Sequence, residues 1–146
     1  MQAGSRVHVA VSERRIGLER LAAQVADPRA GAVVVFQGVT REVSRLEYEA
    51  YVEMAREQIA AILTDCVSAH RLCAAAAEHR TGAVALGEPS VVVAVSAPHR
   101  EEAFAGAREA IDRIKAEAPI WKRELDAAGE GNWVSGAAAP EPESAA

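Results

Sequence analysis

Cysteine is nearly absent. Cys66 and Cys73 are the two in 146 residues, too few for a disulfide framework and wrongly spaced for a redox CxxC or a zinc knuckle, so they read as buried thiols. An excess of positive charge is also lacking: 16 Lys and Arg stand against 21 Asp and Glu, for a formal net charge of −5. That balance argues against a general nucleic-acid or membrane-surface binder, because affinity for a phosphate backbone needs a broad surplus of cations. An anionic ligand would have to be met by a local basic pocket. No apolar run approaches the roughly 18 residues of a membrane span, and residues Met1 to Arg6 lead into an alternating segment, not the apolar core of a signal peptide. The expectation is a soluble, cytoplasmic protein. No internal repeat is visible. What remains is a chain of one domain's length, 50% hydrophobic, which suffices for a single core.

The hydrophobic pattern predicts a mixture of strands and helices. Val7, Val9 and Val11 alternate with Arg6, His8 and Ala10 as in a half-buried strand, and Leu18, Leu21, Ala22 and Val25 follow at helical spacing. Ala32 to Phe36 is a continuous β-branched and aromatic run, which predicts a central strand covered on both faces. Leu46 to Tyr51 alternates, and from Met54 a helix places Ile59, Ile62, Leu63 and Cys66 on one stripe. A strand is expected from near Leu72, turns at Thr81-Gly82 and Gly87-Glu88-Pro89, and a second fully buried strand at Val91–Val95. The helix after Pro98 should bury Phe104, Ala107, Ile111 and Ile114, and Pro119 should end it, since proline lacks an amide hydrogen and pushes Ala118 out of helical geometry. Ile120 to Leu125 reads as a short strand, and Gly129 to Asn132 as a turn into Trp133-Val134. The Ala, Pro and Glu tail has nothing to bury, which predicts a domain over residues 1–135 and a disordered tail over 136–146. Three helices interleaved with strands of both kinds indicate an α+β domain with a mixed or mostly antiparallel sheet.

Lys115 and Lys122 bracket the apolar Pro119-Ile120-Trp121 step. A lysine beside such a patch, with a like charge close by, has two reasons to lose its proton: poor solvation and repulsion. It then becomes a candidate base or nucleophile, although the negative end of the helix dipole at Lys115 works the other way. Two solvated lysines are the plainer alternative. His99 and Arg100 sit at a helix N-terminus, where free amides and the dipole attract anions; an arginine paired with Glu101 or Glu102 explains them as simply. On one helix, Arg100 and Lys115 are about 22 Å apart at 1.5 Å per residue. One small substrate touches both only if a two-fold dimer brings His99 and Arg100 of one protomer to Lys115 and Lys122 of the other. Arg41 follows Gly38 where a loop leaves the sheet. Glu47 and Glu49 share a strand face that solvent explains, and Cys66, His70 and Cys73 lack a fourth ligand, so no metal is expected. No cofactor is expected either.

Taken in order, Gly31 to Gly38, Arg41, Leu46 to Tyr51, His79-Arg80-x-Gly82, Gly87-Glu88, Pro98-His99-Arg100-x-x-Ala103-Phe104 and Lys115-x-x-x-Pro119-Ile120-Trp121-Lys122-Arg123-Glu124, then Trp133-Val134, resemble the large, catalytic subunit of molybdopterin synthase from about Val7 to Val134. The resemblance implies an α/β hammerhead fold and a sulfurtransferase of molybdenum cofactor biosynthesis. Such an enzyme builds the dithiolene of molybdopterin on cyclic pyranopterin monophosphate, with sulfur from the thiocarboxylated C-terminus of a small ubiquitin-like subunit. It further implies a homodimer inside a heterotetramer, Lys115 and Lys122 as the functional lysines, and Arg41, His99 and Arg100 as substrate-binding residues. One departure stands out: only Glu42 to Arg45 link Arg41 to Leu46, where the family has a longer, glycine-containing loop. That short link implies the alternative of a non-catalytic relative that binds a ubiquitin-like partner or a pterin.

Overall fold

The computed structural model describes residues 6–41, 45–125 and 133–134. In chain order the elements are β1 (Val7–Ser12), α1 (Leu18–Gln24), β2 (Ala32–Val39), β3 (Arg45–Ala50), α2 (Val52–His70), β4 (Ala74–Arg80), β5 (Gly82–Ala85), β6 (Pro89–Ala97), α3 (Arg100–Glu117), β7 (Ile120–Leu125) and β8 (Trp133–Val134). The expected turn at 129–132 and the tail at 136–146 lie outside the described residues, as do residues 42–44 of the short link.

Two four-stranded sheets form. The first has the order β1-β4-β6-β2, with β1 and β4 parallel and the other pairs antiparallel; the second, β5-β3-β7-β8, is antiparallel throughout. The α+β expectation therefore holds. Alternation sorts the first sheet's side chains onto two faces. Val91, Val93, Val95 and Ala97 join α2 and α3 in the main core, while Val92 and Ala94 meet Leu21 of α1 and its C-cap residue Val25 in a smaller one. Between them runs β4, in which Ala74, Ala75, Ala76 and Ala77 are all buried.

Helix α2 presents Ala55, Ile59, Ile62, Leu63, Cys66 and Val67 to that core at the i, i+4, i+7 spacing, and it stops where Arg71 takes a left-handed φ of 56°. On α3 the inward stripe is made of small residues, Ala103, Gly106, Ala107 and Ala110, followed by Ile111 and Ile114. The helix packs closely as a result: a Cβ on Gly106 would lie 2.8 Å from a methyl of Leu72.

Two expectations need correction. Strand β2 is an edge strand, not a central one, and Val33, Val35, Phe36 and Val39 are exposed. The register puts Val33 and Val35 on the face of Ser96 and Ala94, where α1 lies mainly over β4 and β6 and only grazes β2, so these two side chains stay exposed. Phe104 is likewise exposed, because the stripe that packs inward passes through Ala103 and Ala107 and leaves it outside. One element went unread: β5 is only four residues long and starts at Gly82, the residue taken for a turn, whose φ is 79°.

Candidate active site

Proline makes the reversal on which the site is built. Ala118 donates its amide to the Ile114 carbonyl at 3.1 Å, closing α3, and then turns extended ahead of Pro119. The Pro119 carbonyl accepts the Tyr51 amide at 3.2 Å, which pins the reversal to the start of α2. Lys115 thus lies on the last turn of α3 and Lys122 on β7, directly opposite Tyr48 of β3. Residues opposite one another in a ladder share a face, so Lys122 stands on the side of the buried Tyr48 ring. Trp121 points to the other face and is buried, with the Tyr51 ring edge-on at 4.9 Å.

The Tyr48 ring meets His79 edge-on at 5.0 Å. His79 is buried near the end of β4, and its Nδ1–H donates to the Arg80 carbonyl at 2.8 Å. A carbonyl only accepts, so Nδ1 carries the proton and Nε2 is the bare nitrogen. Burial pushes the imidazole pKa down to about 4, and the charges of Lys115 and Lys122 add to the effect; the bond to the Arg80 carbonyl works against it. Both ammonium groups therefore act on one ring, which brings the two lysines to one place. Lys115 has its own pKa lowered, first by desolvation and then by Lys122. Desolvation reaches the ammonium although the residue as a whole is exposed in the single chain. Beneath them the Tyr48 hydroxyl donates to Ser90 Oγ at 3.0 Å, and burial raises the phenol's pKa.

The remaining candidates divide between the two ends of the first sheet. Gly38, Val91 and His79 are neighbours in one row across β2, β6 and β4, so Arg41, three residues past Gly38, emerges at the lysine end. His99 and Arg100 follow the far end of β6, eight steps or about 26 Å along the strand at roughly 3.3 Å per residue. His99 is the N-cap residue of α3 without a side-chain cap, and its Nδ1 lies 3.5 Å from Glu102; Arg100 is exposed. A single chain does not unite these two with the lysines. Glu47 is paired with Arg123 across β3 and β7, so it is not one of two free carboxylates. Helix α2 ends at His70, whose ring bonds Glu109 at 2.7 Å, and Cys73 lies beyond it on the approach to β4. Among the described residues no cluster of His, Cys, Asp and Glu is placed to hold a metal. A cavity of about 310 Å³ between the end of α2 and the start of α3, lined by His70, Arg71, Glu101 and Glu102, belongs to the far end of the molecule.

Chemically, the lysine end offers a loosened proton on Lys115, a second cation, and a neutral imidazole as floor. That combination can hold an anion and pass a proton to or from it. His79 and Tyr48 are the members that the sequence did not single out. A usable signal existed in the run Glu78-His79-Arg80, three polar residues closing a strand otherwise made of alanine.

Comparison with known proteins is consistent with this chemistry. The model of the family described as "MoaE protein" matches residues 11–117. The chain is 42% identical over 132 residues to the molybdopterin synthase catalytic subunit of Thermoplasma volcanium, spanning 86% of this chain and 96% of that one. It is 45% identical over 122 residues to the protein of the same name from Oryza sativa subsp. indica, covering 80% of this chain but 63% of the rice protein's length. Among solved structures, molybdopterin synthase from Staphylococcus aureus superposes with a TM-score of 0.82 at 33% identity, over 86% of this chain and 96% of that one.

Proposed function

Since the chain belongs to the MoaE family, we propose that it acts as the catalytic subunit of a molybdopterin synthase, a sulfurtransferase that converts cyclic pyranopterin monophosphate to molybdopterin. The sulfur comes from the thiocarboxylated C-terminus of a small ubiquitin-like partner. The observation that carries the reading is the convergence of Lys115 and Lys122 over the buried, neutral His79. A cyclic phosphate and a thiocarboxylate are both anions, and in a protein of net charge −5 this local cationic pocket is a fitting place to hold them. Lys115, whose proton is loosened first by burial and then by the charge of Lys122, serves as base or nucleophile while sulfur moves.

Arg41 lies at the same end and grips the substrate phosphate. His99 and Arg100 join the site from a second protomer, which removes the separation of about 26 Å along β6. The uncovered β-branched face of β2, Val33 and Val35, together with the exposed Phe104, supports such a homodimer. A second reading, a non-catalytic binder of the same partner or of a pterin, is favoured by the short link between Arg41 and Leu46. One assay separates the two. Purified protein is mixed with thiocarboxylated partner and pyranopterin precursor, and dithiolene product is followed. Wild type should form it, and Lys115→Ala should be slower by about 10²-fold or more. No product from wild type refutes the enzyme; equal rates refute the role of Lys115.

A further inference from the structure

The turn between β5 and β6 holds more interactions than a surface turn requires. Glu88 accepts at Oε1 from Arg80 Nη1 at 3.0 Å and from the Ala85 amide at 3.2 Å, while Oε2 is paired with Arg15. These donors, Arg15 foremost, hold its carboxyl down at about 2, so it stays charged throughout the working range. The turn is closed by the Glu88 amide bonding the Ala85 carbonyl at 3.0 Å, with Gly87 at a φ of 84° that suits glycine. Its main chain then reaches the strand next door. The Thr40 amide donates to the Glu88 carbonyl at 3.1 Å, and the Thr40 carbonyl accepts from the Gly87 amide at 2.9 Å. Both backbone groups of Thr40 are thus committed to this turn, just past the point where the β2–β6 ladder becomes irregular at Gly38 and Val39. The next residue is Arg41.

We propose that Glu88 is a positioning residue for Arg41: its carboxylate ties the β5–β6 turn to Arg80 at the end of β4 and to Arg15 on the loop after β1, and the turn fixes Thr40, from which Arg41 is presented to the anionic substrate. Arg80 follows His79 directly and is itself buried, so one carboxylate sets the spacing between the arginine and the floor of the lysine site. This inference rests on the assignment of Arg41 as a phosphate-binding residue under the function proposed above.

Steady-state kinetics on the complete synthase, with pyranopterin precursor varied at saturating thiocarboxylated partner, test it through a double-mutant cycle. Arg41→Ala alone should raise KM for the precursor; an unchanged KM overturns the Arg41 assignment, and with it the inference. Glu88→Ala should raise KM by roughly three- to tenfold, with kcat within about twofold, as expected when one hydrogen-bonded contact to the ground state is misplaced. Glu88→Gln, which keeps an acceptor for the Ala85 amide, should fall between wild type and Glu88→Ala. In the Arg41→Ala background neither change at position 88 should raise KM further. A merely structural role would lower stability and activity alike in both backgrounds, so additive effects overturn the proposal while leaving the Arg41 assignment intact. An unchanged KM in Glu88→Ala overturns it too. Should Glu88→Ala not fold, Glu88→Gln gives the same readout at smaller amplitude.

Discussion

His79 makes the fold sensitive to acid in a way that can be calculated. In the unfolded chain its imidazole has the ordinary pKa of 6.5, and in the folded protein about 4. At 1.36 kcal/mol per unit, that displacement of roughly 2.5 units amounts to about 3 kcal/mol. The sign follows from the direction: the folded state refuses a proton that the unfolded state takes up. The neutral ring's contribution is therefore complete above pH 6.5, fades as pH falls from 6.5 toward 4, and is gone below 4. Replacement by glutamine, which does not titrate, removes this dependence. The assay is urea unfolding of wild type and His79→Gln at steps between pH 7.5 and 4, using the difference between them so that the titrations of Glu78, Glu88 and other groups common to both proteins cancel. The stability of wild type relative to the variant should fall by about 3 kcal/mol across that range. Parallel profiles would refute the burial of a neutral imidazole. The secondary cause is testable separately: by NMR, Lys122→Met should move the His79 titration upward but leave it below 6.5, because burial is the larger effect.

Other outcomes follow from the packing. Gly31→Ala should destabilise by about 1–3 kcal/mol, because a Cβ there would sit 2.6 Å from the Pro98 carbonyl oxygen, whereas Gly17→Ala, with nothing nearer than 3.7 Å, should not; thermal melts compare the two. Glu78→Gln should cost about 2 kcal/mol in urea unfolding at neutral pH, since the buried carboxylate accepts from both Arg20 Nη atoms at 2.8 and 2.9 Å and from His8 at 2.8 Å. Arg20 holds the Glu78 carboxyl below its ordinary 4.5. The stabilisation is complete above that value and lost at lower pH, and the glutamine variant should lack this acid-side decline. Val35→Asp on the exposed face of β2 should give a monomer by analytical ultracentrifugation and an inactive synthase, with the fold intact by circular dichroism.

Periodic segments with strong punctuation were legible before any coordinates. Pro98 and Pro119 delimit α3, and the break at Pro119 separates Lys115 from Lys122 onto different elements, as the spacing implied. Edge and centre were not distinguishable, because the runs at 32–36 and 91–95 have the same β-branched character and composition does not say what covers a strand. Phe104 misled for a related reason: a helical stripe of small residues outcompetes one large side chain when the aim is close approach to a sheet. His79 is legible in the sequence only as part of the His79-Arg80-x-Gly82 piece and not as a site member, because a single histidine in a strand carries no periodic signal and its neutrality arises first from burial and then from the charges of Lys115 and Lys122, which are remote in sequence.

The row of alanines in β4 sets how thick the molecule is at its middle. With only buried methyl groups above and below the peptide plane, β4 is covered on both sides, and a bulkier side chain there would have to push against the layers that cover it. His79 and Arg80 are the end of that thin ribbon. Any widening of the ribbon would be felt at its tip, so the lysine end of this protein depends on residues with almost no chemistry of their own.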